Sequence, residues 1–373
     1  MKKPPRHEDT KSKKNFVFSY LGGFKNKTFR ARLVRWFEEN GRDLPWRRTR
    51  DPYAILVSEM MLQQTQVVTV VPFYERWLQK FPGVESLAKA DEQSVLRQWQ
   101  GLGYYSRARN LHRAAQKILH EHGGKFPCAL DEIRALPGVG RYTAGAVATF
   151  AFDQATPIVD ANIARVLARL LDLRMPVDSR AGSDALWQAA QNLQPRKKAR
   201  ACNSALMELG ALVCTPRAPK CHACPVADFC RAEEPEKLPR KKARRPLTPL
   251  VENCAFIFSR GKILLEQQRR RRWRGLWKLP ALATPPDARP LLQLAYPFTH
   301  YRVQLCVFKS KTLPRTETRR WHALASLPPM PSPHHRAVCG LAAQKESSPQ
   351  AHACPPAPPR ARGQDKVQFV AGR

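Results

Sequence analysis

The chain has 373 residues, enough for two domains of ordinary size that each bury a core. Its 64 Lys and Arg against 30 Asp and Glu give a formal net charge of +34, far beyond what solubility needs, and point to a polyanionic partner. Nucleic acid is the first candidate and an anionic membrane surface the rival, but the basic residues are spread over the whole chain. No apolar run approaches the ~18 residues of a spanning helix, so a soluble chain with no membrane partner is expected.

Residues 1–28 are polar and Lys-rich and read as a basic arm. Within them "NFVFSYLGGF" is too short and too poorly flanked for a signal peptide, so no export route shows. Four of ten cysteines crowd between Cys214 and Cys230, which favours a metal site in a reducing compartment; a cytoplasmic, nucleoid-associated protein of a bacterium is expected. From Phe29 to about Ala232 the periodicity is helical. "FRARLVRWFEEN" sets Leu33, Trp36 and Phe37 at i, i+3, i+4, while "SVLRQWQGLG" and "NLHRAAQKILHEHGG" end in glycines suited to helix C-caps. An all-α domain over residues 29–232 is expected. Residues 233–250, "EEPEKLPRKKARRPLTPL", are basic and Pro-rich and read as a linker. Beyond it, "NCAFIFS" and "KILLEQQ" flank Arg260-Gly261 like a β-hairpin, and "YRVQLCVFKS" alternates with period two. Residues 251–343 are therefore expected to form a smaller strand-rich domain, and the Pro/Ala-rich residues 344–373 a disordered tail.

Four stretches carry chemistry. In Cys214-x6-Cys221-x2-Cys224-x5-Cys230, four thiolates within seventeen residues can close on one centre, and both zinc and an iron–sulfur cluster accept four sulfurs. The first gap adds Arg217 and Lys220, a cationic loop able to meet a phosphate. "LPGVGRYTAG" puts Gly138, Val139 and Gly140 before a small-residue helix, either a hairpin whose backbone N–H groups approach an anion or an ordinary glycine-packed turn. In "PIVDANIARVLARLL" Asp160 directly precedes an amphipathic helix and reads as an N-cap; a catalytic role needs a second carboxylate. "VSEMMLQQTQV" holds one, Glu59, among apolar residues.

Together these motifs resemble the helix-hairpin-helix DNA glycosylases that carry a 4Fe-4S cluster. "DLPWRRTRDPYAILVSEMMLQQTQV" and "GLGYYSRARNLH" are similar specifically to the MutY adenine DNA glycosylases, over about residues 29–232 and weakly to 343. The resemblance implies an all-α helix-hairpin-helix glycosylase domain with an iron–sulfur cluster loop, followed by a smaller α+β Nudix-like domain. It also implies one 4Fe-4S cluster on Cys214, Cys221, Cys224 and Cys230, and a monomer that excises adenine opposite 8-oxoguanine or guanine in double-stranded DNA.

The resemblance makes Glu59 the general acid; its place between Val57 and Met60-Met61 would desolvate it and raise its pKa. Asp160 would stabilise the oxocarbenium-like sugar, with Asn162 beside it. Trp46 and Arg47 would line the adenine pocket with Glu208, and Leu62, Gln63, Gln64 and Tyr104 would meet the duplex around the extruded base. Gly138, Val139, Gly140, Arg217 and Lys220 would contact the DNA backbone. Relatives resembling endonuclease III place a nucleophilic Lys after "GVGR"; Tyr142 stands there in this chain and cannot form an imine, which implies a monofunctional enzyme. "RWRGLWKLP" and "FTHYRV" carry the likeness to a Nudix fold, with Phe298, Thr299 and His300 reading 8-oxoguanine and Thr299 where the family usually has Ser. Only Asp287 is acidic between Gln267 and Arg315, so nucleotide hydrolysis by a glutamate cluster is not expected. Two rivals remain. A thymine or uracil mismatch glycosylase is disfavoured by the "SEMMLQQTQV" segment, and a noncatalytic DNA-binding iron–sulfur or zinc protein by the joint presence of Glu59 and Asp160.

Overall fold

The computed structural model describes residues 26–243, 246–269, 272–345 and 367–369. The rest of the basic arm, two linker residues and most of the expected tail lie outside the described residues. Eleven helices come first among them: α1 Asn26–Asn40, α2 Pro52–Leu62, α3 Val67–Lys80, α4 Val84–Ala88, α5 Glu92–Gln98, α6 Ser106–Glu121, α7 Leu130–Arg134, α8 Arg141–Phe152, α9 Ala161–Leu170, α10 Arg180–Leu193 and α11 Ala199–Leu212. No strand occurs among the described residues before 246. The expected glycine stop after α6 is present: Gly123 and Gly124 both take positive φ, and Gly124 N–H donates back to Ile118 O at 3.0 Å. None of the described helices is long and apolar enough to cross a membrane.

Contacts divide the chain into two compact units that do not follow sequence order. One joins the residues up to Met60 with Lys117–Ala243, the other joins Met61–Gln116 with the residues after Ala243. The core of the first unit gathers Phe29 and Leu33 of α1, Ile163, Val166 and Leu167 of α9, Leu186 and Leu193 of α10, and Leu206 and Leu209 of α11. Each such side chain taken out of water stabilises the fold by about 2 kcal/mol. Helices α9 and α11 approach closely at Gly210, where an added Cβ would lie 2.7 Å from Asn162 Cβ. Only glycine fits that crossing.

In the second unit the helical part is centred on Trp77, edge-on to Trp99 with ring centroids 5.4 Å apart. The strands are β1 Thr248–Phe256, β2 Phe258–Ser259, β3 Lys262–Gln267, β4 Trp277–Lys278, β5 Leu292–Phe298, β6 Tyr301–Lys309 and β7 Arg319–Ala323; helix α12 Ser332–Lys345 and strand β8 Val367–Phe369 follow. One sheet runs β1-β6-β5-β8 with β1 and β6 parallel; the other runs β2-β3-β4 with β7 also on β3. Phe256, Leu265, Leu294, Leu305, Val338 and Leu341 form the core they share with α12. The hairpin at Arg260-Gly261 takes φ of +47° and +72°, the doubly positive turn that matches strand twist.

Within the residues expected to form a tail, two short pieces are described. Helix α12 runs to Lys345 because Val338, Leu341 and Ala342 seat it on the core, and Val367–Phe369 pair antiparallel with β5, closing an edge that would otherwise present unpaired backbone. Helical and strand-rich parts meet within this unit. Tyr105 Oη donates to Met330 O at 2.8 Å and Gln93 Nε2 to Gly275 O at 3.3 Å.

Candidate active site

Helix α2 is buried on every side from Tyr53 to Met61, so Glu59, 4% exposed, is almost wholly shielded from water. Burial pushes its carboxyl up to about 7; a hydrogen bond from Tyr142 opposes the rise, and the charge of Asp160 adds to it. Tyr142 sits in the first turn of α8, and burial together with the two carboxylates holds its phenol protonated, well above the usual range. Asp160 is both an N-cap and a partner carboxylate. Its Oδ1 accepts from Ile163 N at 2.7 Å and its Oδ2 from Asn162 Nδ2 at 2.9 Å. Burial raises its pKa, while these donors and Arg165 favour the anion. The structure thus brings Glu59, Tyr142, Asp160 and Asn162 into one electrostatic group.

The hydrogen bonds continue from Asp160 to the cysteine loop. Arg165 donates to Asn162 Oδ1 at 2.9 Å, to Gly210 O at 2.6 Å and to Cys214 O at 2.7 Å. One turn later Arg169, 1% exposed, donates to Cys214 Sγ at 3.3 Å and to Thr215 O at 2.7 Å. Both arginines stand on the amphipathic α9, so the helix that Asp160 caps also organises residues 214–230. All nine described cysteines are free thiols. Burial raises the thiols of Cys224 and Cys230, and in each case the neighbouring cysteines of the 214–230 set raise it further, so the four cysteines lie near one another. That donor set fits an iron–sulfur cluster held by Cys214, Cys221, Cys224 and Cys230. Arg217 and Lys220 are exposed on the first loop of the set.

A second cluster of the first unit surrounds Glu208, which is fully buried on α11. Its Oε1 accepts from Arg42 N and Nε at 2.9 and 2.7 Å, and its Oε2 from Arg42 Nη2 at 2.9 Å and Arg47 Nη2 at 2.6 Å. Burial alone would raise this carboxyl, but the two guanidinium groups hold it down at about 2. Trp46 is buried beside Arg47 in the Pro45–Arg47 turn. The family resemblance named Glu208, Arg47 and Trp46 but did not single out Arg42 and Arg165. Both are single basic residues in a strongly basic chain, and no spacing rule marks them.

At "LPGVGR" Gly138 takes φ +77° and Gly140 starts α8 with no side-chain cap. Between them the Val139 side chain is buried, and its N–H donates to Leu136 O at 3.1 Å. An anion at this turn would meet the glycine backbone and the first turn of α8.

The remaining expected residues lie in the second unit. Gln64 and Tyr104 are exposed, and each takes a positive φ, +58° and +45°, a strained state for a residue with a side chain. Leu62 and Gln63 are half-buried. Phe298, Thr299 and His300 form the tip of the β5–β6 hairpin. Thr299, at φ +55°, is a β-branched residue in a conformation that costs about 1–3 kcal/mol. The tip is braced by Thr248 N donating to His300 O at 2.9 Å and by the Arg272 guanidinium 4.3 Å from the Phe298 ring centre.

An uncapped helix start behind a glycine turn, a buried pair of carboxylates and a four-cysteine loop define a helix-hairpin-helix DNA-repair class, and comparisons agree. Residues 57–180 match the HhH-GPD superfamily base excision DNA repair protein model, and residues 214–230 the iron-sulfur binding domain of endonuclease III. The structure of a thermostable thymine-DNA glycosylase is similar at 33% identity and a TM-score of 0.50, covering 56% of this chain and 97% of that one. The adenine DNA glycosylase of Buchnera aphidicola subsp. Baizongia pistaciae is 35% identical over 255 residues, 67% of this chain and 71% of that protein. The adenine DNA glycosylase of Rattus norvegicus is 46% identical over 237 residues, 61% of this chain and 46% of its own length. The chain belongs to the adenine DNA glycosylase family. It spans about half the length of the mammalian relatives it matches.

Proposed function

We propose that this protein is a monofunctional adenine DNA glycosylase that releases adenine opposite 8-oxoguanine or guanine in duplex DNA and leaves an abasic site. The observation that carries the reading is the Glu59–Tyr142–Asp160 group, with a carboxyl near half-protonation at pH 7 beside a second carboxylate. Glu59 gives its proton to N7 of adenine, and the C1′–N9 electron pair leaves with the base. Asp160 faces the positive charge that develops on the sugar. Water then adds to C1′ and returns a proton to Glu59, restoring the starting state. Tyr142 donates its hydroxyl hydrogen to Glu59 and offers no amine, so no imine intermediate forms. Arg42, Trp46 and Arg47 line the adenine pocket in this reading, and Glu208 holds the two arginines in place by accepting from both.

The cysteine loop holds one 4Fe-4S cluster in this reading. The match of residues 214–230 to the iron-sulfur binding domain of endonuclease III favours an iron–sulfur centre over zinc. The bound cluster fixes the loop that presents Arg217 and Lys220 to phosphate. The strand-rich part acts as a Nudix-like reader of 8-oxoguanine through Phe298, Thr299 and His300, and the protein works as a monomer. Incubation with duplexes bearing adenine, thymine or uracil opposite guanine or 8-oxoguanine tests the whole reading. Free adenine should appear, the strand should break only after alkali, and borohydride should trap no stoichiometric adduct. Free thymine or uracil in place of adenine overturns it.

A further inference from the structure

Arg107 is 6% exposed, and its guanidinium reaches two loops that are remote in sequence. Toward the first loop, Nη1 donates to Met61 O at 2.9 Å and to Gln63 O, and both Nη atoms lie 3.3 Å from Thr65 Oγ1. Toward the second, Nη2 donates to Leu102 O at 2.9 Å and to Gly103 O at 3.2 Å. The Arg107 guanidinium carbon also lies 5.3 Å from the Trp99 ring centre and 5.6 Å from that of Tyr104. Trp99 Nε1 adds a further bond to Gly103 O at 3.0 Å.

The bonded carbonyls are the ones that matter for geometry. Gln63 O and Gly103 O belong to the peptides immediately before Gln64 and Tyr104, the two exposed residues at positive φ. Orienting the preceding peptide limits how a strained residue can relax, and a strained conformation persists only where its surroundings over-determine it. A lysine could not do the same, because its single ammonium offers three donors from one point whereas the planar fork spans both loops. Burial lowers the Arg107 pKa only to about 10, so the fork is charged at neutral pH and its bonds to carbonyls are of the stronger, charge-assisted kind.

We propose that Arg107 is the positioning residue that locks the loops 63–65 and 102–104 together, so that Gln64 and Tyr104 enter the base stack as one pre-formed wedge. The proposal rests on the glycosylase reading above. Nothing in the reaction passes through Arg107 itself; it acts through the two residues it presents.

The test uses the full, cluster-bearing chain with Arg107→Lys and, separately, Thr65→Val, which removes one hydroxyl acceptor and leaves the buried charge in place. Single-turnover adenine release is measured from an 8-oxoguanine:adenine duplex and from a duplex whose adenine faces a stable abasic analogue, where little pairing opposes extrusion. Arg107→Lys should slow release from the paired duplex by about 10- to 100-fold, the scale of a small misplacement in a pre-organised site, and by less than about threefold from the unpaired one. Thr65→Val should show the same substrate dependence with a smaller loss. The pH profile of release should keep its wild-type midpoint. In parallel, 2-aminopurine beside the target adenine reads stack disruption on binding, and its fluorescence rise should be smaller for Arg107→Lys. Iron content per chain identifies a variant that has failed to fold, and Thr65→Val then decides the question. Equal slowing on both duplexes, or no slowing on either, overturns the proposal. If the wild type releases no adenine at all, the functional reading fails, and the 2-aminopurine signal judges Arg107 alone: an unchanged signal in the variant overturns its wedge role.

Discussion

Glu59→Gln is the substitution whose consequence for stability can be worked through from the structure. The fold moves the Glu59 pKa from the 4.5 of a free glutamate to about 7, chiefly because the buried α2 gives the anion no solvent. At about 1.4 kcal/mol per pH unit, that difference corresponds to about 3 kcal/mol. The sign follows from which state holds the proton. Between pH 4.5 and 7 the folded state keeps a proton that the unfolded chain has lost, so stability falls as pH rises through this window and levels off above it. Glutamine keeps the shape and carries no charge, so it removes this cost. The variant should match wild type near pH 4.5 and exceed it by about 3 kcal/mol at pH 8.5, roughly 6–12 °C in melting temperature for a unit of this size. Anaerobic thermal scans of both proteins at one scan rate, at several pH values, provide the comparison. The same variant should lose adenine release by about 100-fold or more while keeping duplex binding, since a positioned general acid contributes on that scale. In wild type, release should decline as pH rises through about 7, when Glu59 loses its proton, and also in acid as Asp160 becomes protonated. Melting curves of wild type and variant that stay parallel at all pH values would refute the reasoning, because they would mean that Glu59 titrates alike in both states.

Three other outcomes are expected. Arg165→Gln leaves Gly210 O and Cys214 O short of a buried charged donor, at about 1–3 kcal/mol each; iron retention and adenine release should fall together, checked by iron analysis and single-turnover rates. Tyr105→Phe deletes the buried bond to Met330 O and should lower the melting temperature by an amount equivalent to about 1 kcal/mol, while cluster content stays unchanged. Thr299→Ala with His300→Ala should shrink the preference for an 8-oxoguanine:adenine duplex over guanine:adenine by about 1–3 kcal/mol, measured as a ratio of rates at one salt concentration.

What the sequence revealed was local. The 3.6-residue spacing of Leu33, Trp36 and Phe37, the glycine stop after α6 and the hairpin at Arg260-Gly261 all follow from interactions within a few residues, and each is present. The strand β8 was not legible, since Val367–Phe369 earn their conformation from the edge of β5, far away in the chain. Nor was the division into units, because the segment 61–116 has no compositional mark and joins the strand-rich part through single contacts such as Tyr105 to Met330. At the site, local pattern marked Asp160 as an acid before an amphipathic helix and Glu59 as a carboxylate amid apolar residues, while their catalytic roles were implied by the family resemblance. Their coupling through Tyr142 required the fold.

The arginines show where a charge count misleads. A net charge of +34 reads as a surface made for a polyanion, yet Arg107, Arg165 and Arg169 are all buried and bonded mainly to carbonyl oxygens. Each ties together segments that sequence separation keeps apart: Met61 with Leu102, Asn162 with Cys214, Leu238 with Thr215. A carbonyl left alone in the interior costs about 1–3 kcal/mol, so a loop whose carbonyls turn inward needs a multidentate donor, and the guanidinium supplies up to five hydrogens from one plane. Composition cannot separate such internal donors from phosphate-facing cations, because both are written with the same letter. Exchange to lysine separates them physically. At an exposed phosphate contact it preserves the charge and most of the affinity, whereas at Arg107, Arg165 or Arg169 it preserves the charge and abandons the geometry.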